Sequence, residues 1–397
     1  MGMGRVRSTL FRLHRWLGVR LVPFFAALFL SGTVLVFSDE LEAAFHPRAW
    51  VGSAPEAGAR ASFGTLFAQL EAAFPGATVF VMERQPQPWL GDRSHLTTAT
   101  GERIVVWSDP ASGTVLDSAP ARGLRAMLRA FHDSFLLPGR WPFVLVSASS
   151  VLLLLSVASG LVTYRRFWKG LFRPPPRHLG ERGRQGGLHR LLGLWSSVFL
   201  LIIGSTGLFF MATGLGFRGQ EPAPAPASPR LEARPAVLDG ARIDAALERA
   251  RKALPDFEIK VVVLPGRARD GITLAGHPAG GSILAGETTL SLDPLTLEIL
   301  GVVHPADRQG NARIRALMNA LHFGEWGGQW GRALWALLGL TASWLLLSGA
   351  RVQAARSAPC SRGWLAPFLR GLGALRWVYL LAAAGALALA LIRFGPL

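Results

Sequence analysis

A short unit is written twice in this chain, each time at the start of a long apolar run. Leu13-His14-Arg15-Trp16-Leu17-Gly18-Val19 returns as Leu188-His189-Arg190-Leu191-Leu192-Gly193-Leu194. The first run closes on Ser31-Gly32-Thr33-Val34 and the second on Ser205-Thr206-Gly207-Leu208. A run long enough to cross a bilayer must satisfy its own backbone hydrogen bonds, which in a single segment means a helix. The fold is therefore expected to contain two equivalent membrane helices, each with a histidine and an arginine at its mouth.

Composition agrees with a membrane protein: half of the 397 residues are hydrophobic and only 17% are charged, low for a soluble chain. The net charge of +17 would elsewhere suggest nucleic acid. Here the arginines crowd the ends of the apolar runs, where membrane topology explains them, and no nucleic-acid partner is expected. The single cysteine, Cys360, excludes an internal disulfide, a Cys-based zinc site and covalent haem attachment through Cys-x-x-Cys-His. The first run lacks a short apolar core followed by a small-residue cleavage site and reads as a retained anchor.

The chain divides as follows. Residues 1–38 are a cytoplasmic N-terminus and a first span, with Arg5, Arg7, Arg12, Arg15 and Arg20 setting its inward end. Residues 39–141 form an outer lobe, 142–164 a second span and 165–188 a basic, proline-stiffened cytoplasmic loop. Residues 189–212 are a third span. A Pro/Ala linker and a second outer lobe fill 213–330, and 331–350 is a fourth span. A basic loop, 351–376, precedes a fifth span at 377–397, which contains no histidine and falls outside the repeat. The lobes share an order of elements. Each has a helix stopped at proline (62–74; 243–254), a strand (78–82; 259–264) and a hairpin turning at Asp-Pro (104–107 with 114–116; 288–292 with 297–300). The expected fold is a mainly α membrane protein: a four-helix core from two parallel repeats, a fifth helix, and two α+β lobes.

The second half of each unit also repeats. Arg125-Ala126-Met127-Leu128-Arg129-Ala130-Phe131-His132 aligns with Arg315-Ala316-Leu317-Met318-Asn319-Ala320-Leu321-His322. Topology then sorts four histidines into two pairs, His14 with His189 inside and His132 with His322 outside, with roughly 30 Å of membrane between the levels. Two imidazoles facing across a bundle can fill both axial positions of a haem iron, so two pairs suggest two b-type haems per chain. An isolated histidine at a helix mouth is more simply an interfacial residue, while His46 and His304, each before a proline, are expected near lobe edges and His95, His178 and His277 in loops or on strands, none of them as ligands. Arg125 and Arg315 stand seven residues before their histidines, two turns away on the same helical face, where they could meet haem propionates. Gly32, Gly160, Gly207 and Gly349 sit near helix ends, where they permit close helix approach or make room for a cofactor. No Gly-x-Gly-x-x-Gly follows a strand and no Walker A sequence occurs, so electrons are expected from a quinol or a separate cytoplasmic donor.

Taken together, the Leu-His-Arg-Trp-Leu-Gly motif, the Thr-Gly exit and the hairpins at Asp109-Pro110 and Asp293-Pro294 resemble the PepSY-associated transmembrane family over residues 10–352. Members of that family include haem-containing ferrisiderophore reductases of the bacterial inner membrane. The resemblance implies haem ligation by His14, His189, His132 and His322, periplasmic PepSY-like lobes, and reduction of a ferric siderophore or another ferric chelate, with no side-chain acid or base required. Two departures stand out: Leu297 replaces the glycine of the first turn exit, Gly113, and the fifth helix is extra. A rival expectation is a non-enzymatic membrane protein whose lobes bind a peptide, a protease or an envelope partner.

Overall fold

The computed structural model describes residues 3–52, 60–164, 169, 171–172, 174–175, 180–217, 238–265, 271–278, 281, 284, 286–308, 310–357 and 363–395. The Pro/Ala tract, His178 and Cys360 lie outside them. In chain order the helices of the first half are α1 (Met3–Arg20), α2 (Val22–Leu35), α3 (Ser38–Ala44), α4 (Phe63–Ala73), α5 (Leu124–Ser134) and α6 (Arg140–Thr163). Those of the second half are α7 (Glu181–Trp195), α8 (Ser197–Gly214), α9 (Gly240–Ala253), α10 (Asn311–Phe323), α11 (Gly328–Ser357), α12 (Leu365–Leu372) and α13 (Leu375–Phe394). The strands are β1 (Thr78–Glu83), β2 (Asp92–Thr97), β3 (Arg103–Ser108), β4 (Val115–Pro120), β5 (Phe257–Val263), β6 (Ile272–Pro278), β7 (Thr288–Leu292) and β8 (Ile299–Val303). The chain forms two units, one from residues 1–38, 127–217 and 321–397, the other from 39–126 and 218–320.

The first unit is the helical one. Among the described residues, four helices are long and apolar enough to cross a membrane: α6, α8, α11 with the turn before it, and α13. A fifth span exists if α1 and α2 are counted together, and these two meet at 65°. The first span is thus not the straight helix that hydropathy suggests. Pro23 explains the break: it lacks a backbone N–H and its ring clashes with the preceding turn, so it is placed in the first turn of a new helix. The third apolar run is also two helices, with a turn at Ser196. There the Ser197 hydroxyl bonds back to Leu194 O at 2.7 Å, a local competitor to the helical ladder.

Helix α6 packs on α8 and α1, and α11 on α2 and α7. Phe25 and Phe29 of α2, Leu153 and Val157 of α6, and Phe199 and Trp335 of α8 and α11 fill the space between them. Two arginines tie helix ends together. Arg140, opening α6, donates to Gly214 O at the end of α8. Arg332, in the first turns of α11, donates to Val36 O just past α2 at 3.0 and 2.5 Å. Each places a cation against the free carbonyls of a helix C-terminus. The fifth helix, α13, touches both ends of this unit. Tyr379 donates to Arg20 O at 2.7 Å, and Arg393 to Leu136 O at 2.5 Å in the left-handed turn that ends α5.

The second unit is built on one antiparallel sheet, ordered β4-β3-β2-β1-β5-β6-β7-β8. The two expected lobes are halves of this sheet, joined where β1 pairs with β5 through Val81↔Val263, Met82↔Val262 and Glu83↔Val261. The hairpins and the first strand of each half lie where the alternation places them, but β2 and β6 are additional strands. Helices α4 and α9 pack together over a core that includes Leu66, Leu70, Met82, Leu247, Leu274 and Leu290. They are capped by Ser62 and Asp239. Their closest approach is at two glycines: a Cβ on Gly240 would collide with Gly64 O, and one on Gly64 with Gly240 O. Asp244 locks the crossing, accepting from Ser62 Oγ at 2.7 Å and Gly64 N at 2.9 Å.

The two Asp-Pro turns are the same structure. Asp109 accepts Gly113 N at 2.8 Å and Asp293 accepts Leu297 N at 2.9 Å. Gly113 has φ +76° and Leu297 φ +58°, so the leucine adopts the left-handed conformation that glycine takes without strain. Substitution Gly240→Ala should destabilise this unit by about 1–3 kcal/mol, because backbone and not a flexible side chain blocks the new methyl. Denaturant unfolding of the full-length protein would measure it, and an unchanged midpoint would contradict the crossing.

Candidate functional site: two facing histidine pairs

Each of the four repeated histidines is carried by one helix and received by another in the same register. His14 of α1 meets α6 at Ser156, Ser159 and Gly160. His189 of α7 meets α11 at Leu345, Ser348 and Gly349. His132 of α5 meets α2 at Ser31 and Gly32, one turn beyond Leu28. His322 of α10 meets α8 at Thr206, one turn beyond Ile203 and next to Gly207. The receiving helix therefore offers a carbonyl at position i, a hydroxyl at i+3 and a glycine at i+4, four times over.

The hydrogen bonds fix the imidazole tautomer. Each hydroxyl gives its proton to a backbone carbonyl one turn back: Ser31 to Leu28 O at 3.1 Å, Ser159 to Ser156 O at 3.0 Å, Thr206 to Ile203 O at 3.0 Å and Ser348 to Leu345 O at 2.8 Å. That hydroxyl oxygen can then only accept from the histidine. Nδ1 of His132 lies 3.0 Å from Ser31 Oγ, and Nδ1 of His322 lies 2.8 Å from Thr206 Oγ1. Nδ1 of His14 lies 2.9 Å from Ser156 O, and Nδ1 of His189 lies 3.1 Å from Leu345 O. Carbonyls cannot donate, so the proton sits on Nδ1 in all four rings and Nε2 keeps its lone pair. None of the four Nε2 atoms has a hydrogen-bond partner among the described residues.

The rings face one another in two pairs. His14 and His189 have centroids 6.4 Å apart with planes at 65°. His132 and His322 have centroids 6.3 Å apart with planes at 55°. One metal ion bound by two Nε2 atoms at about 2 Å each would put the ring centres about 6.2–6.5 Å apart. Among the described residues no group of three or more His, Cys, Asp or Glu could hold a metal ion. A metal seated in either pair must bring its remaining donors with it, as the iron of a porphyrin does. The Nδ1 bonds are the usual second layer behind a ligating histidine, and the donor set fits a bis-histidine haem.

Glycine makes the approach possible. A Cβ on Gly32 would lie 2.9 Å from Cε1 of His132, on Gly160 3.1 Å from Cε1 of His14, and on Gly349 3.0 Å from Cε1 of His189. Gly207 instead faces Ser150 of α6, where a Cβ would lie 2.7 Å from the serine Cβ. These contacts also measure the spacing of the two levels. On α6, Ser150 marks the His322 level and Gly160 the His14 level. On α11, Gly339 packs on Thr33, next to Gly32, while Gly349 packs on His189. Ten residues in each case correspond to about 15 Å of helix axis. The expected separation of roughly 30 Å is therefore corrected: both pairs lie inside the bundle, not at its two faces, because the breaks at Leu21 and Ser196 set α1 and α7 apart from the apolar helices that follow.

The other expected residues are placed as follows. Arg125 lies 3.3 Å from Asp39, so its guanidinium already faces a carboxylate. Glu42 stands in the same cluster, pushed up from its ordinary range by burial against the opposing pull of Arg125 and Arg93. Arg315 is half-buried on α10, seven residues before His322. His46 stacks on Trp107 at 4.9 Å, His95 and His277 lie on β2 and β6, and His304 caps a short turn with Asp307. The Ser/Thr partners went unrecognised in the sequence. Their signal was present: Ser31-Gly32, Ser159-Gly160, Thr206-Gly207 and Ser348-Gly349 are one dipeptide repeated in four apolar runs.

A bundle of apolar helices with two facing, half-buried imidazole pairs, attached to an antiparallel sheet domain, defines a multi-pass membrane protein. The chain belongs to the family of the PepSY-associated TM region, whose profile matches residues 11–356 and so leaves α12 and α13 outside. No curated protein matches the chain.

Gly349→Val should drive a methyl into His189 and weaken axial binding at that pair at least tenfold, about 1.4 kcal/mol, leaving the His132–His322 pair intact. Haem titration of the purified variant followed by absorbance would show one site lost and one kept.

Proposed function

We propose that this protein is a dihaem b-type reductase of the bacterial inner membrane that passes electrons across the bilayer to a ferric siderophore or another ferric chelate. The observation that carries the reading is the pair of facing histidine couples with every Nδ1 tied down and every Nε2 free. When bound there, haem supplies a one-electron Fe(III)/Fe(II) couple. His14 and His189 would hold one group, and His132 and His322 the other.

The basic ends of the spans favour an orientation with the N-terminus and the His14–His189 level toward the cytoplasm. In chain order the two segments of the sheet domain follow α2 and α8 and lead into the helices that carry His132 and His322, before α6 and α11. The His132–His322 end would face the periplasm. Electrons would enter at the inner level from a quinol, each oxidation to quinone giving two electrons and two protons, or from a cytoplasmic donor. They would leave one at a time at the outer level, converting a chelated Fe(III) to Fe(II). Oxygen-rich chelators hold the softer, less charged Fe(II) less well, so reduction releases the metal without any proton-transfer residue.

The test is a reduced-minus-oxidised spectrum of the detergent-solubilised protein with haem quantified as the pyridine complex. Two b haems per chain, reoxidised by ferric siderophore, are expected. His322→Ala should remove one of the two and reduce chelate reduction to background. A protein that binds no haem when expressed with ample supply would overturn the reading and favour a sheet domain that binds a peptide or envelope partner.

A further inference from the structure

We infer that the two histidine pairs are tuned to different potentials, the inner lower than the outer, by an asymmetry in what their Nδ1 protons meet. This rests on the dihaem reading and adds a direction to it. All four rings face a carbonyl at i and a hydroxyl at i+3, but they use them differently. At the inner level Nδ1 donates directly to the helix carbonyl, Ser156 O at 2.9 Å and Leu345 O at 3.1 Å. The hydroxyls of Ser159 and Ser348 stand beside these bonds, 3.3 and 3.1 Å from the same nitrogens. At the outer level Nδ1 of His132 meets Ser31 at 3.0 Å with Leu28 O beside it, whereas Nδ1 of His322 reaches only a hydroxyl, Thr206 at 2.8 Å. At His322 the hydroxyl stands between the ring and its carbonyl.

A carbonyl oxygen is the stronger acceptor of the two. Donating to it leaves more electron density on the imidazole and makes Nε2 a better donor to the metal. A stronger axial donor favours the more highly charged Fe(III) and lowers the potential of that site. His14, His189 and His132 each have a carbonyl among their acceptors and His322 has a hydroxyl alone, so the outer site is the better electron acceptor. Nearby charge does not reverse this order. Arg190, next to His189, is exposed and stacks on Tyr164, where solvent screens it. Arg129 and Asp133 flank His132 on α5 and offset each other. With haem held by both pairs, this order would favour the electron at the His132–His322 pair, toward the face where the chelate would be reduced. Ser31 and Thr206 are positioning residues in this scheme, acting on the metal only through the histidines.

The experiment is a redox titration of the full-length, haem-loaded protein, with the steps assigned by the haem lost in His189→Ala and in His322→Ala. The inner step is expected below the outer by at least about 59 mV, a tenfold bias in where the shared electron sits. Thr206→Val puts a methyl in place of the only acceptor of His322. It should raise the outer step alone. Ser348→Ala leaves Leu345 O in place and should move the inner step by much less. An inner step at or above the outer one, or an outer step unmoved by Thr206→Val in a protein that still holds two haems, overturns this inference and leaves the dihaem reading standing. A protein without haem removes both.

Discussion

The bundle is organised by the cost of putting a neutral imidazole where there is no water. Such a ring has one donor and one acceptor, and each left unmet in an apolar interior costs on the order of 1–3 kcal/mol. The donor is met in all four cases by the receiving helix. The acceptor, Nε2, has no hydrogen-bond partner among the described residues, and a second ring lies with its centre a little over 6 Å away. On the proposed reading a Lewis acid between the two rings would meet both acceptors. The rest of the helical unit serves this arrangement. Glycine at i+4 lets the ring lie against helix backbone, and the arginines at Arg140 and Arg332 hold the ends of α8 and α2 against α6 and α11.

Helix breaks are what bring the pairs inward. A straight first span would carry His14 to the end of the apolar stretch, and a straight third span would do the same for His189. With α1 turned by 65° from α2, the first histidine can lie against α6 well inside the bundle. Pro23 is the sequence-level cause in the first repeat. The second has no proline at that place and bends at Ser196-Ser197, where a hydroxyl competes for a backbone carbonyl. Two different local devices yield one geometry, as expected if histidine placement, and not the device, is what the fold requires.

Much of this was legible in the chain. Hydropathy found the spans, duplication found the four histidines, and charge asymmetry suggested which end of each span lies inside. The hairpins were readable because Asp109-Pro110 and Asp293-Pro294 are strong turn signals. Strands β2 and β6 were not. Asp92-Arg93-Ser94-His95-Leu96-Thr97 has buried polar residues that pair with one another: Asp92 with Arg60 and Arg84, Arg93 with Asp39 and Glu83. Alternation of polar and apolar side chains cannot reveal a strand whose polar face is also buried. In β6 the interior carries Gly276, needed because a Cβ there would strike Glu258 O of the neighbouring strand, and glycine reads as a break. Joining of the two half-sheets through β1 and β5 is a contact across about 180 residues of chain, and no local pattern encodes it. The depth of the histidines was misjudged for a related reason: a hydropathy window reports how apolar a run is, not where it bends.

The space between the two levels decides what can cross. Phe25, Phe29, Leu153, Val157, Phe199 and Trp335 pack there, and the apolar runs of these helices contain no aspartate or glutamate. An ion or a proton would have to pass about 15 Å of mostly aromatic and aliphatic side chains, where a hydroxyl such as that of Ser343 is already bonded to a helix carbonyl, at a cost of several kcal/mol. An electron needs no polar station, because it tunnels through packed side chains without carrying its hydration or its proton. On the proposed reading this packing would let electrons pass between the levels while holding back ions, and charge compensation would fall to the two ends of the bundle, where substrate and donor would meet solvent.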